Sequence, residues 1–217
     1  IITGPNGSGK SSLYRALQLL AETARGELVQ SLAREGGLQS SLWAGPESFS
    51  AEMLRGEIPV QGGKRKKPVS LRLGFTSDAY CYTIDLGLPV RDSQSAFQLD
   101  PMIKRECLWS GPSMRPRELI VDRRNHHLRF REYGKPWQDV DIDVPGHASM
   151  VTEFSDPRVI TELYSFREAM RSWRFYDHFR TDPQAPARQS EVGTFSPVLA
   201  NDGSNLAAAL QTVLEIG

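Results

Sequence analysis

The sequence predicts an α/β fold built around a phosphate-binding loop, with an antiparallel β meander inserted after its first helix. Three observations carry that reading: a complete glycine-lysine-serine loop at residues 4–11, apolar residues at helical spacing directly behind it, and period-two alternation from about residue 69 to residue 144.

Gly4-Pro5-Asn6-Gly7-Ser8-Gly9-Lys10-Ser11 matches G-x-x-x-x-G-K-[ST] at every fixed position. At average residue usage, a chain of this length matches by chance about once in a hundred. Ile1-Ile2-Thr3 reads as the end of a buried strand, and Leu13, Ala16, Leu17, Leu20, Ala21 and Ala24 follow at helical spacing. Strand, glycine loop and helix together are the context in which the motif holds phosphate. Glycines admit backbone conformations that a Cβ forbids, and the successive N–H groups form an anion nest at a helix N-terminus. Lys10 is expected to reach the β- and γ-phosphates of ATP, Ser11 to place its hydroxyl on Mg²⁺, and Ser12 to add a further phosphate contact. The expected nucleotide set is therefore Gly4, Pro5, Asn6, Gly7, Ser8, Gly9, Lys10, Ser11 and Ser12, with Ser11 as the metal ligand. A glycine turn that merely starts a helix leaves the lysine and two serines unexplained.

The 217 residues, 39% hydrophobic and 24% charged, suffice for one or two soluble domains with a real core. A net charge of zero gives no global field favouring nucleic acid, though it leaves room for a local patch. Cys81 and Cys107 are far apart in sequence and lack metal-ligand spacing, so a reducing, cytoplasmic setting is expected. No apolar run approaches membrane-spanning length and no signal peptide is present. Ile1 stands where a Met would open a chain, and the last helix stops without a closing element. The sequence is expected to be a segment of a longer chain.

The loop helix should run to about Ala24, with a second helical piece ending at Gly36-Gly37. Alternation then sets in through "VSLRLGF" (Val69, Leu71, Leu73, Phe75), "AYCYTIDL" (Tyr80, Tyr82, Ile84, Leu86), "ELIVD", "HLRFREY" and "VDIDV", an antiparallel meander with one wet face. Helix returns after Asp156-Pro157, where Leu163, Phe166, Met170 and Trp173 share a face. "SWRFYDHF" reads as a buried strand and "RTDPQAPARQ" as a loop. Asp202-Gly203-Ser204-Asn205 offers caps to a final helix carrying Leu206, Leu210, Val213 and Leu214. The expected organisation is 1–58 loop and helices, 59–150 antiparallel β subdomain, and 151–217 a return to the α/β core.

The "GPNGSGKSSL" loop, the inserted meander and the phrases "SWRFYDHFRTDP" and "DGSNLAAAL" together resemble the N-terminal half of an ABC-type P-loop ATPase head, more narrowly the AAA/ABC-like ATPases related to RecF and SMC proteins. The motif match is specific over residues 1–20, and beyond it the likeness is one of pattern. The resemblance implies ATP sandwiched between two heads of a homodimer, Mg²⁺ as cofactor, hydrolysis on dimerisation, and coupling to DNA or a partner protein.

The hydrolytic parts are harder to find. Leu119-Ile120-Val121-Asp122 is the nearest approach to an apolar strand ending in a metal-binding aspartate, but Arg123-Arg124 follows where the catalytic carboxylate should stand. An Asp closing a meander strand is also ordinary turn chemistry. "LANDGSNLAAAL" superficially resembles a signature loop, yet a capped helix accounts for it. Gln184 and Gln189 lie about where the resembled class carries a metal- and water-sensing glutamine, although loop glutamines are common. His126-His127, adjacent on a strand, point to opposite faces and are poor partners for one metal. Gly62-Gly63-Lys64-Arg65-Lys66-Lys67 is the one dense basic run; Arg115, Arg117, Arg123 and Arg124 could join it in a nucleic-acid surface. The catalytic residues are accordingly expected outside this segment. A nucleotide-gated binding module without turnover and a P-loop phosphotransferase are the alternatives; a GTPase is disfavoured by the lack of an N-K-x-D motif.

Overall fold

The computed structural model describes residues 2–42, 45–46, 48–60, 68, 70–89, 96–154, 156–177 and 179–216. The chain divides into two compact units, residues 1–171 and 172–217.

The first unit opens with helices α1 (Lys10–Thr23), α2 (Leu28–Arg34) and the short α3 (Ala51–Leu54). The apolar spacing behind the loop buries Leu20, Ala21 and Ala24 at the far end of α1. Chain reversal after α2 uses Gly36 and Gly37, both at positive φ, so the second helical piece ends where the glycine pair predicts.

Six strands follow, β1 (Ser70–Thr76), β2 (Cys81–Gly87), β3 (Met102–Trp109), β4 (Leu119–Arg124), β5 (His127–Phe130) and β6 (Gln138–Asp139), paired in sequence order. Every pairing is antiparallel, which is the meander the alternation predicts. The period-two pattern sends Tyr82, Ile84, Leu86, Ile103, Leu108, Val121, Leu128 and Phe130 to the inner face, into one core with Leu20, Leu28 and Leu32. Helices α4 (Met150–Glu153) and α5 (Thr161–Arg171) complete that core through Met150, Val151, Leu163, Phe166 and Met170. The Phe166 ring lies 5.0 Å from that of Tyr82 and 6.0 Å from that of Phe75.

A buried ion pair sits among these apolar side chains. Glu106 of β3 and Arg123 of β4 are cross-strand partners on the inner face, and Arg123 Nη1 donates to Glu106 Oε2 at 2.8 Å. The other carboxylate oxygen accepts from Tyr82 Oη at 2.6 Å and Ser149 Oγ at 2.5 Å, while Oε2 also accepts from the Met150 amide at 2.8 Å. The rest of the guanidinium donates to carbonyls of Asn125 (2.7 Å), Pro145 (2.8 Å), Val144 and Ala148. Burial, then the Glu106 carboxylate, push the Tyr82 phenol well above its ordinary range, so it stays a donor.

The outer face carries a small cluster of Cys81, Cys107, Trp109 and Leu119 with Trp137 packed on it, and beyond it a row of charges. The two cysteines are free thiols and share this cluster despite their separation in sequence. Burial, then the Asp122 carboxylate, push the Cys107 thiol up to about 12.

Three expectations fail. Ile1 lies outside the described residues, and Ile2-Thr3 form no strand, Ile2 being 65% exposed. A strand needs a neighbour to take its backbone hydrogen bonds, and among the described residues Ile2 and Thr3 make no backbone hydrogen bond. The described residues of "SWRFYDHF" form no strand, and Trp173 falls beyond α5, off the Leu163–Phe166–Met170 face. The predicted "VDIDV" strand at 140–144 does not form: β6 ends at Asp139, and Val140 and Val144 keep only single hydrogen bonds to the Leu128 and His126 carbonyls. Val69 lies outside the described residues.

The second unit contains a 3-10 turn (Pro186–Arg188) and helix α6 (Leu206–Ile216). The predicted caps act on the preceding turn instead. Asp202 Oδ1 accepts from the Ser204 amide (3.0 Å) and Asn205 Oδ1 from the Ala200 amide (2.8 Å). Leu210, Val213 and Leu214 of α6 are exposed, and Thr212 is buried through its hydroxyl, which accepts from the Ser196 amide at 2.8 Å.

Replacing Arg123 by Met should destabilise the first unit by about 3–5 kcal/mol in chemical denaturation, because Glu106 is left buried without its counter-charge. A loss below about 1 kcal/mol contradicts the role given to the pair. Cys107 should resist iodoacetamide in the native protein at pH 8 and react readily once denaturant exposes it, since burial both covers the thiol and holds it protonated. Equal rates by mass spectrometry would contradict that burial.

Candidate functional site

The loop of residues 4–12 is exposed on the first unit and ends at the N-terminus of α1. Gly9 is the N-cap, at φ 85° and ψ 9°, and Gly7 lies at φ 80°. Both are left-handed conformations, which glycine takes without the penalty a side chain brings. They turn the backbone so that the amides of Gly7, Gly9, Lys10, Ser11 and Ser12 find no acceptor among the described residues. The Ser8 amide donates to the Pro5 carbonyl at 3.3 Å, and the Leu13 amide to the Gly9 carbonyl at 3.0 Å. Gly4 is also constrained, since a Cβ there would come within 2.9 Å of Ser8 Oγ.

Lys10 bends back over this loop. Its ammonium donates to the carbonyls of Gly4 (2.7 Å) and Pro5 (2.8 Å) and to Ser8 Oγ (3.4 Å). A fixed cation and a row of unsatisfied amides on a helix N-terminus form an anion receptor of the phosphate-binding kind. The residues fit a nucleoside triphosphate in charge, donor number and access. For Mg²⁺ the loop offers serine hydroxyls and no carboxylate, and among the described residues no group of three or more His, Cys, Asp or Glu could hold a metal. Mg²⁺ usually keeps several waters and binds through substrate phosphates.

A sequence profile described as "AAA domain, putative AbiEii toxin, Type IV TA system" matches residues 1–189. The chain belongs to this AAA family. The match carries the implication of a P-loop nucleotide-binding fold, with the loop just described at its start. No curated protein and no solved structure matches the chain.

The remaining candidates of this AAA domain each have surroundings of their own. Asp122 lies on the outer face of β4, its carboxylate fully buried beneath arginines. It accepts from Arg129 at 2.8 Å, from Arg105 at 3.2 Å and from Cys107 Sγ at 3.3 Å, with Arg124 at 3.3 Å. Burial pushes this carboxyl up, but the bonds from Arg129 and Cys107 and the Arg105 charge outweigh it and leave it below its ordinary range. An aspartate committed to three guanidinium groups is a structural counter-ion. Gln184 and Gln189 are exposed in the second unit; the Gln184 amide donates to Asp182 at 3.0 Å, and Gln189 ends the 3-10 turn. His126 and His127 pair separately, with Asp143 at 3.0 Å and Asp139 at 3.1 Å.

The expected arginine surface is also corrected. Arg123 is buried on the inner face and cannot contribute. Arg124 turns to Asp122, Arg117 lies 3.9 Å from Glu118, and Arg115 is exposed. On the outer face Arg105, Arg124 and Arg129 share the single carboxylate of Asp122, and Arg72 pairs with Asp85 at 2.9 Å, so arginines outnumber aspartates in these pairs. The basic run at 62–67 lies outside the described residues.

Asp122→Asn should leave affinity for Mg-nucleotide within about twofold by calorimetry while lowering stability by about 1–3 kcal/mol. A selective loss of affinity only when Mg²⁺ is present would put the carboxylate back at the metal.

Proposed function

We propose that the protein binds Mg-ATP through residues 4–12 and hydrolyses it as an ATPase head that pairs with a second copy. The observation that supports this most directly is the loop itself, with five amides lacking acceptors beside an ammonium held by three loop oxygens. Binding a triphosphate exchanges those three neutral acceptors of Lys10 for anionic oxygens, a stronger class of hydrogen bond. The amides at the helix N-terminus meet the phosphates at the same time, and Ser11 gives Mg²⁺ one protein oxygen. Mg²⁺ would supply charge neutralisation between the β- and γ-phosphates.

Pairing is part of the proposal because Asp122, the nearest sequence match to a metal-binding aspartate, is held by arginines. A second head, as in the ABC, RecF and SMC class that the loop and meander resemble, would complete the site and could couple it to DNA or a partner protein. A nucleotide-gated binding module is the second reading, favoured by the same commitment of Asp122.

Lys10→Ala should lower ATP affinity at least about a hundredfold, since among the described residues no other cation bonds within the loop; unchanged affinity would remove the assignment. In the wild type, specific ATPase activity should rise with protein concentration if heads pair. Tight binding without turnover at any concentration supports the gated module.

A further inference from the structure

One cross-strand row runs unbroken from β1 to β5. Arg72 of β1 is the register partner of Asp85 on β2, Asp85 of Arg105 on β3, Arg105 of Arg124 on β4, and Arg124 of His127 on β5. We propose that this row, with Arg129 beside it, is a docking surface for a protein partner that lays an acidic segment across the outer face of the sheet. The surface stands apart from the nucleotide reading, since no residue of the row belongs to the phosphate loop. Three observations support it.

The first is an excess of charge. Arg105 and Arg124 stand directly opposite each other, an arrangement of like charges that costs a sheet stability. Asp122 answers them at 3.2 Å and 3.3 Å, but it answers Arg129 as well, at 2.8 Å. Three guanidinium groups on one carboxylate leave two positive charges over, and burial keeps the neighbouring Cys107 thiol neutral. Among the described residues no second carboxylate pairs with these three arginines.

The second is where that excess stands. The Asp122 carboxylate is fully buried, whereas the side chains of Arg105, Arg129 and Arg124 are 36%, 34% and 62% exposed. An approaching partner therefore meets the cations and not their counter-ion. Arg105 and Arg124 reach Asp122 through Nε and Arg129 through Nη2, so each planar fork keeps further N–H donors for a second carboxylate. The shared anchor, and Trp137 at 4.5 Å from the Arg129 guanidinium, hold the forks in place before a partner arrives. The third is the pattern of signs. Asp85 stands between Arg72 and Arg105 in the row, so a phosphodiester backbone, charged on every unit, meets a carboxylate among the arginines. A peptide carries charge only where a side chain is acidic. At the usual strand spacing, Arg72 lies about 12 Å along the row from the midpoint of Arg105 and Arg124. Acidic side chains four residues apart on an extended peptide are separated by about 13 Å. One carboxylate then sits over Arg105 and Arg124, and the other over Arg72.

Fluorescence anisotropy on the full chain, without ATP, tests the surface with three labelled probes: an extended peptide carrying glutamates at that spacing, its glutamine counterpart, and a single-stranded oligodeoxynucleotide. The glutamate peptide should bind at least about tenfold tighter than either of the others. Replacing Arg72 and Arg124 together by Gln, both of them exposed side chains, should remove most of that advantage. Arg117→Gln, at an exposed arginine outside the row, should hold glutamate-peptide affinity within about twofold. Equal binding of the two peptides, tighter binding of the oligonucleotide, or unchanged affinity in the double variant would overturn the proposal.

Discussion

The buried pairing of Glu106 with Arg123 is the constraint around which the first unit is built. Two charges removed from water lose several kcal/mol of hydration each, and only a full set of partners makes that burial tolerable. The set is full here. The carboxylate takes Arg123, Tyr82, Ser149 and the Met150 amide, and the guanidinium takes four carbonyls from residues 125–148. Because those partners lie on β2, β3, β4, the β4–β5 turn and the segment entering α4, the network fixes where the chain re-crosses the inner face. α5 then packs Phe166 against Tyr82, whose hydroxyl the network has already oriented.

From this sheet to the loop the link runs through α1. Its C-terminal half is anchored by Leu20 and Ala24 in the core shared with the sheet, whereas its N-terminal turn is exposed. The arrangement keeps the helix rigid and leaves its positive end available to anions. The outer face of the sheet has a different character. Three of its arginines, Arg105, Arg124 and Arg129, gather on the buried carboxylate of Asp122, and Trp137 is covered by the guanidinium groups of Arg129 at 4.5 Å and Arg131 at 4.6 Å.

Much of this was legible in the sequence. Period-two alternation identified β1, β2, β4 and β5, and helical spacing identified α1 and α5, because burial on one face imposes those periods whatever the tertiary details. β3, "MIKRECLW", escaped because its inward positions include Glu106, which breaks the apolar pattern. The signal was present all the same: Arg123 keeps the phase of Val121, so opposite charges at inward positions of two strands marked a buried pair. The loop at 4–12 was legible because its glycines and lysine are dictated by local backbone chemistry. The strands expected at the first residues and after α5 are absent among the described residues, since strand formation depends on pairing across the fold that local sequence does not specify.

The central claim is that the amides of Gly7, Gly9, Lys10, Ser11 and Ser12 are held open for phosphate. The most direct measurement is site-resolved hydrogen exchange of those amides, by NMR, with and without Mg-ATP. Nucleotide should slow exchange at Gly7, Gly9, Lys10, Ser11 and Ser12 while leaving the already bonded amides of β2 and β3 unchanged. Saturating Mg-ATP with no added protection at these five positions would contradict the account.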